Sequence, residues 1–250
     1  MSLLKIEIPY EIDSPERTLF HKEILLKKKF MRELYLEWYR FFKKSFEGLP
    51  AGKKIEIGSG GGFLKDVISE VITSDIIPLP TNDLTLSALD MPFADNELSA
   101  IVMIDTFHHL PDCEQFLREA DRTLVKGGKI IMVEPANSCW GRFIYQNFHH
   151  EPFNPKGDWT FPSTGPLSGA NGALPWIIFQ RDRSLFEKKF SRLKIVKMKN
   201  HTPLRYLLSG GFTLKQLMPG FMYNPVKLFE RILSPIQAFS MFTTIVIEKK

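Results

Sequence analysis

The chain has 250 residues, of which 44% are hydrophobic and 24% are charged, and its formal net charge is +5. This length suits one α/β domain with elaborations, and the composition excludes an extensively disordered chain. No run of ~18 consecutive apolar residues is present, so no membrane-spanning helix is expected. Two cysteines in unrelated contexts, Cys113 and Cys139, and an N-terminus unlike a signal peptide indicate a cytoplasmic protein.

Residues 1–50 are predicted to form a helical extension. The run Asp13-Ser14-Pro15-Glu16 is typical of a helix start, and large apolar residues then recur at spacings of three and four up to residue 47. We expect this apolar stripe to pack on the core. A lid, a dimer surface and, because Lys27-Lys28-Lys29 lies beside it, an interfacial membrane helix are the alternatives.

From Lys54 onward, apolar strands alternate with helices, which predicts a mainly parallel, doubly wound sheet. The predicted strands cover residues 54–58, 70–75, 85–89, 99–104, 129–134, 193–199 and 242–248. Two long aromatic stretches, 136–180 and 202–240, interrupt this alternation. Because long loops in a compact domain are usually functional or locally structured, we expect substrate recognition there.

The first strand runs into a glycine-rich turn, Glu56-Ile57-Gly58-Ser59-Gly60-Gly61-Gly62-Phe63. Glycine is needed where the backbone turns with positive φ or where a ligand touches the main chain. A nicotinamide-binding loop requires a third glycine or alanine where this chain has Phe63. The loop therefore indicates a cofactor other than a dinucleotide.

Polar groups follow each of the next strands. Asp75 ends the second strand, Asp90-Met91-Pro92-Phe93 follows the third, and Asp105-Thr106-Phe107-His108-His109-Leu110 follows the fourth. An amphipathic helix over residues 116–128, closed by glycines, leads to the fifth strand. Since ligands of such sheets bind beyond the carboxyl ends of the strands, these groups are expected to meet in one crevice.

Taken together, residues 52–136 resemble the cofactor-binding core of the class I S-adenosylmethionine (SAM)-dependent methyltransferases, in particular the small-molecule, methyltransferase type 11-like branch. The shared motifs are E-x-G-x-G-x-G, the acid after strand two, D-x-P-F, H-H-L and the glycine pair after the helix, where Lys126 replaces the usual proline. The resemblance implies a Rossmann-like seven-stranded sheet of order 3-2-1-4-5-7-6. It also implies one methyltransferase domain over residues 1–250, with its SAM-binding core at 51–135.

The resemblance further implies a role for each motif residue in holding SAM. Asp105 and Thr106 would lie beside the sulfonium. The remaining implied cofactor residues are Glu56, Gly58, Ser59, Gly60 and Gly62 at the methionine moiety, Asp75 with Ile76 at the ribose, and Asp90 with Met91 at the adenine.

Candidate catalytic groups lie at strand ends or in the aromatic insertion. His109 is the preferred base or acceptor-orienting residue, and Glu134, Tyr145 and His150 are weaker candidates. No metal site is predicted, because adjacent histidines seldom bind one ion without further spaced ligands.

The aromatic insertions favour methyl transfer to a small or lipid-like hydrophobic acceptor. Two alternatives stay open: a nucleic-acid methyltransferase using the basic stretch 181–199, and a SAM-binding protein without turnover. Peripheral membrane contact and the oligomeric state are also left open.

Overall fold

A computed structural model describes residues 4–162, 164–233 and 235–250. These residues form a sheet of seven strands in the order β3-β2-β1-β4-β5-β7-β6. The strands are β1 (Lys53–Ile57), β2 (Val71–Asp75), β3 (Leu84–Thr85), β4 (Leu98–Ile104), β5 (Leu124–Pro135), β6 (Leu193–His201) and β7 (Phe242–Lys249). Strands β1 to β5 are parallel, and β7 runs antiparallel between β5 and β6. The predicted fold class and strand order are confirmed.

Helices flank this sheet and fill the two insertions. They are α1 (Pro15–Lys27), α2 (Lys29–Ser45), α3 (Leu64–Val67), α4 (Cys113–Thr123), α5 (Cys139–Phe148), α6 (Leu174–Trp176), α7 (Arg183–Lys189), α8 (Arg205–Ser209) and α9 (Tyr223–Leu233). A π-helical turn, Ile177–Arg181, joins α6 to α7. Across the described ranges, none of these helices combines the length and the hydropathy needed to cross a bilayer.

The N-terminal extension contains two helices where the sequence predicted one. Ser14 caps α1 as expected, its hydroxyl accepting a hydrogen bond from Arg17 N. The break occurs at Lys28, which has extended backbone angles and a buried side chain. Its ammonium donates to the carbonyls of Gly211 and Leu214, in the second insertion. A buried charge needs such partners, so this contact fixes the change of direction between the helices.

Two other boundaries differ from prediction. Strand β3 is limited to Leu84–Thr85, and the chain that follows leaves the sheet to run along the ligand crevice. Helix α4 ends at Thr123, and strand β5 begins at once with Leu124. The run Lys126-Gly127-Gly128 therefore lies within the strand as an irregularity, with Gly127 at φ +80°, instead of ending the helix.

Helix α2 buries its apolar stripe against the sheet. Its buried residues are Phe30, Met31, Leu34, Tyr35, Trp38, Tyr39 and Phe42. Trp38 packs on Phe242 of β7 with ring centroids 5.1 Å apart, and Tyr39 packs on Phe63 with centroids 5.0 Å apart. Burial of large aromatic side chains is among the strongest contributions to core stability. The extension is thus part of the core and also reaches the loop that follows β1.

The basic stretch 181–199 is largely occupied by structural contacts. Arg183 pairs with Glu187 at 2.9 Å, Lys189 with Glu114 at 2.5 Å, and Arg192 with Asp121 at 2.7 Å. Its remaining lysines lie mostly on β6, an edge strand, where lysine discourages pairing with another sheet.

Candidate active site

A cavity of about 1010 Å³ lies beyond the carboxyl ends of β1, β2 and β4. This volume is at the upper end of the ~300–1,000 Å³ typical of small-molecule sites, so it has room for a cofactor and a second molecule. The walls include the glycine loop, the ends of β2 and β4, the N-terminal segment and both insertions. The strand ends therefore converge on one crevice, as the sequence predicted.

The glycine loop is shaped so that its backbone faces the cavity. Gly58 and Gly60 have φ of +67° and +47°, which side chains rarely adopt. A Cβ on Gly58 would lie 2.3 Å from Thr106 Cγ2, and one on Gly62 would lie 2.8 Å from Ser59 O. Both glycines are thus required by close packing.

Glu56 lies at the base of this loop with only 3% of its surface exposed. Its Oε2 is buried and has no hydrogen-bond partner within the described residues. Burial raises the pKa of this carboxyl to about 7, and the hydroxyl of Ser59 opposes the shift. A buried carboxylate oxygen without a partner is costly unless a ligand satisfies it. The ammonium end of an amino-acid ligand would do so.

Asp75, at the end of β2, lines the cavity and holds the loop in place. Its Oδ2 accepts a hydrogen bond from Gly60 N and its Oδ1 accepts one from Ile77 N, both at 2.9 Å. Burial raises the pKa of this carboxyl above its usual value. Each oxygen has a second lone pair, so the carboxylate can still accept from two ligand hydroxyls. The neighbouring Ile76 is 55% exposed and offers an apolar surface in the same wall.

Asp90 and Met91, which were predicted to contact the adenine, do not line the cavity. Asp90 is exposed and lies outside the cavity lining. The backbone N–H of Met91 donates to Glu119 Oε2 at 2.9 Å, so it is already satisfied within the protein. The residues just before the turn line the cavity instead: Leu86, Ser87, Ala88 and Leu89.

The end of β4 forms a sharp turn into the cavity. Asp105 has φ of +55° and donates its backbone N–H to Val133 O at 2.8 Å. Aspartate tolerates this left-handed conformation better than most residues. Asp105 and Thr106 both line the cavity. Burial raises the pKa of the Asp105 carboxyl to about 7, although the nearby His108 opposes the shift.

Glu134, one of the predicted catalytic residues, does not line the cavity. The residue is fully buried. Its Oε1 accepts hydrogen bonds from the backbone N–H groups of Thr106 and Phe107 at 2.9 and 2.8 Å, and its Oε2 lies 2.8 Å from His108 Nδ1. Glu134 therefore holds the turn after β4 in shape.

Tyr145 is also engaged elsewhere. Its hydroxyl donates to Met241 O at 2.7 Å, and its ring stacks on Phe153 with centroids 5.2 Å apart. The side chain is buried and lies outside the large cavity. The hydroxyl of Tyr145, another predicted catalytic residue, is thus occupied by a backbone carbonyl, and the residue does not line this cavity.

His109 lines the cavity, and a hydrogen bond to a backbone carbonyl fixes its ring. Its Nδ1 lies 2.9 Å from Gly169 O, which fixes the proton on Nδ1 and leaves a lone pair on Nε2. Burial lowers the pKa of His109 to about 4, and the neighbouring His108 adds to this shift. The imidazole is thus neutral at physiological pH and can accept a proton or a hydrogen bond.

His150 also reaches the cavity, together with a group that the sequence interpretation missed, Glu151. Glu151 Oε1 lies 3.6 Å from both His109 Nε2 and His150 Nε2. Its Oε2 lies 3.2 Å from His108 Nε2. The run His149-His150-Glu151 is visible in the sequence, but its position opposite His109 is apparent only in the folded structure.

The remaining walls of the cavity are largely apolar. They include Ile6, Ile8 and Ile12 from the N-terminal segment, Leu167 and Phe148 from the first insertion, and Leu207, Phe212 and Leu214 from the second. Among the aromatic residues expected at the acceptor site, Trp140 and Trp159 instead use their indole N–H groups to bind Pro203 O and Asp182. Aliphatic residues therefore supply most of the apolar wall.

Residues 55–132 match the family model for the methyltransferase domain, and no curated protein matches the sequence significantly. The fold is similar to that of a SAM-dependent methyltransferase from Thermotoga maritima, described as a possible histamine N-methyltransferase. The TM-score is 0.51 at 18% identity, over 91% of this chain and 99% of that one.

Two solved structures of geranyl diphosphate methyltransferases also have a similar fold. A geranyl diphosphate C-methyltransferase from Streptomyces coelicolor A3(2), in complex with Mg²⁺, geranyl diphosphate and S-adenosyl-L-homocysteine, has a TM-score of 0.50 at 12% identity, over 99% of this chain and 90% of that one. A geranyl diphosphate methyltransferase in complex with SAM has a TM-score of 0.51 at 12% identity, with coverages of 97% and 93%. At these identities the likeness concerns the fold.

Proposed function

We propose that this chain, whose residues 55–132 match the methyltransferase domain, is a class I SAM-dependent methyltransferase that transfers a methyl group from SAM to a small or lipid-like hydrophobic acceptor. The observation that carries the proposal is the single cavity in which the glycine loop, Asp75 and Asp105 meet beside a largely apolar wall. We further propose one domain, with residues 1–50 as a helical extension and both insertions on the acceptor side.

The residues of the cavity fit SAM. The unpartnered Oε2 of Glu56 would accept from the ammonium of the methionine moiety, and the backbone of Gly58–Gly62 would lie along it. Asp75 would accept from the ribose hydroxyls. Ile76 and the segment from Ser87 to Leu89 would contact the adenine, taking the place expected of Asp90 and Met91.

Methyl transfer is an in-line displacement, for which SAM supplies a methyl group already activated by the positive sulfur. The protein must therefore align the acceptor and exclude water. Asp105 and Thr106, at the end of β4, are placed to flank the reacting end of the cofactor. His109 Nε2 would accept a hydrogen bond from the acceptor and take its proton as the new bond forms, with Glu151 nearby to stabilise the resulting imidazolium.

The experiment that tests the proposal is incubation of the purified chain with cell extract and methyl-labelled SAM, followed by identification of the labelled product. We expect label in a small, organic-extractable molecule. Label only in nucleic acid or protein, or no label beyond a heat-inactivated control, would contradict the proposal.

Replacing His109 with asparagine should lower kcat by about 100-fold, because positioned proton acceptors contribute roughly 10²–10⁴ in rate. The dissociation constant of SAM should change by less than about twofold, since this side chain lies on the acceptor side. Initial rates and calorimetry measure the two quantities. His201→Asn is the matched control, because His201 is half-buried and bonded to the hydroxyls of Thr202 and Thr244 outside the cavity. Full turnover by H109N would remove His109 from the mechanism.

The affinity for SAM should rise with pH between 6 and 7.5. Because the pKa of Glu56 is raised to about 7, the carboxyl is mostly protonated at pH 6 and mostly ionised at pH 7.5, and only the ionised form attracts the ammonium. The ionised fraction grows about eightfold over this interval, and the association constant should follow it. Calorimetry at several pH values measures the trend, and Glu56→Gln should flatten it as well as weaken binding. An equally steep rise in the E56Q variant would assign the trend to another group.

No observation favours a nucleic-acid substrate. The basic residues of the stretch 181–199 either form ion pairs within the protein or lie on an edge strand. We also propose a cytoplasmic location, supported by Cys113 and Cys139, both of which are free thiols.

A further inference from the structure

The carboxylate of Glu151 is surrounded by imidazole rings at one side of the cavity. His149 Nδ1 lies 3.6 Å from Oε2, and His150 Nε2 lies 3.6 Å from Oε1. These separations are too long for hydrogen bonds. The three ligand-type atoms nevertheless all lie within 4.8 Å of one another. The two imidazoles therefore lie beside the Glu151 carboxylate without donating a hydrogen bond to it at these separations.

Such spacing is what a shared metal ion requires. Bonds of about 2.0–2.2 Å from imidazole nitrogen and carboxylate oxygen to zinc, at tetrahedral angles, place two ligand atoms about 3.4 Å apart. The observed 3.6 Å separations come within a few tenths of an ångström of that value. The backbone N–H of Glu151 donates to His149 Nδ1 at 3.4 Å, a long hydrogen bond that an ion bound to this nitrogen would replace.

The ligand group is supported from behind by a second set of contacts. His108, which is fully buried, lies between Glu134 and Glu151, with its nitrogens 2.8 and 3.2 Å from their carboxylate oxygens. This bridge fixes the orientation of the Glu151 carboxylate, as outer-shell partners do in metal sites.

We propose that His149 Nδ1, His150 Nε2 and the Glu151 carboxylate bind a divalent first-row transition ion such as Zn²⁺, with an open coordination position facing the acceptor space. Two imidazoles and one carboxylate with an open position form the donor set of catalytic zinc and non-haem iron sites. All three residues line the cavity, opposite His109. The sequence run His149-His150-Glu151 alone did not lead to a predicted metal site, and the fold adds the support that His108 gives to the Glu151 carboxylate.

The ion's role in turnover rests on the proposed function. An acceptor hydroxyl would coordinate the ion, which makes its proton easier to remove. As the oxygen–methyl bond forms, the sulfur–methyl bond breaks with its electron pair left on sulfur, and the hydroxyl proton passes to His109. The acceptor class is therefore a hydrophobic molecule with a hydroxyl group, and the oxygen of that group is the atom methylated.

The test is titration of the tag-free full chain with Co²⁺, followed by visible absorption and then displacement with Zn²⁺. We expect one equivalent to give ligand-field bands that Zn²⁺ removes, and both Glu151→Gln and His150→Asn to weaken Co²⁺ binding at least 100-fold. His201→Asn should keep the bands. SAM affinity, measured by calorimetry, should stay within twofold in all variants. Because His150 is about half exposed, H150N decides the question should E151Q fail to fold.

Absence of bands in the wild type, or equal bands in H150N, would overturn the site. Stoichiometric Co²⁺ binding that depends on His150 supports the site even if no methyl transfer is found. Full methyl transfer by chelator-treated protein would overturn the role of the ion in turnover.

Discussion

Replacing Asp75 with alanine should weaken SAM binding about 10- to 100-fold, as measured by calorimetry at pH 7.5. The variant loses two hydrogen bonds from the ribose hydroxyls, and such bonds have a net contribution of about 0.5–1.5 kcal/mol each. It also releases the N–H of Gly60, which Asp75 Oδ2 holds at 2.9 Å, so the glycine loop loses part of its fixed shape.

Asp90→Ala is the matched control. Both aspartates follow strands in the same half of the sheet, but Asp90 is exposed and lies outside the cavity. We expect its SAM affinity to equal that of the wild type within twofold. If D90A lost affinity for SAM while D75A kept it, the nucleoside would bind near Asp90 and the proposed role of Asp75 would be wrong.

Replacing Glu134 with alanine should lower the free energy of unfolding by about 3–5 kcal/mol. The substitution leaves the N–H groups of Thr106 and Phe107 without an acceptor and His108 without one of its two carboxylate partners. Breaking a buried, hydrogen-bonded ion pair from one side typically has a cost of this size. Urea denaturation monitored by circular dichroism measures it.

Glu70→Ala provides the comparison, because Glu70 pairs with Lys54 at 3.1 Å while its side chain stays 60% exposed. Exposed pairs contribute less than about 1 kcal/mol, so this variant should unfold close to the wild-type midpoint. If E134A unfolds like E70A but has lost methyl transfer, Glu134 would be a catalytic group after all.

The sheet could be predicted because apolar periodicity and glycine turns are local signals. Strand β4 is buried at every position, and its apolar run was visible directly in the sequence. The break at Lys28 could not be predicted in this way. Its cause is a contact with carbonyl groups almost 190 residues away, while the sequence around it continues a helical pattern.

The sequence located cavity-lining residues at the ends of strands. It was less successful where the direction of a side chain decides whether a residue reaches the cavity. Asp75 and Asp105 both come directly after a strand and line the cavity. Asp90 follows a segment that leaves the sheet after two residues, so its position along the chain did not fix its direction. Glu134 and Tyr145 look catalytic in sequence, but tertiary partners satisfy both.

The hydroxyl of Tyr39, on α2, accepts a hydrogen bond from Phe63 N at 3.1 Å, at the point where the glycine loop becomes helix α3. The backbone of Lys22 lies against Gly61 of the same loop, so closely that a Cβ there would come within 2.7 Å of Lys22 N. The segment that matches the family model therefore depends on the N-terminal helices for its structure. Without the first 50 residues, this segment would expose one face of the sheet and lose the contacts that give the glycine loop a defined shape.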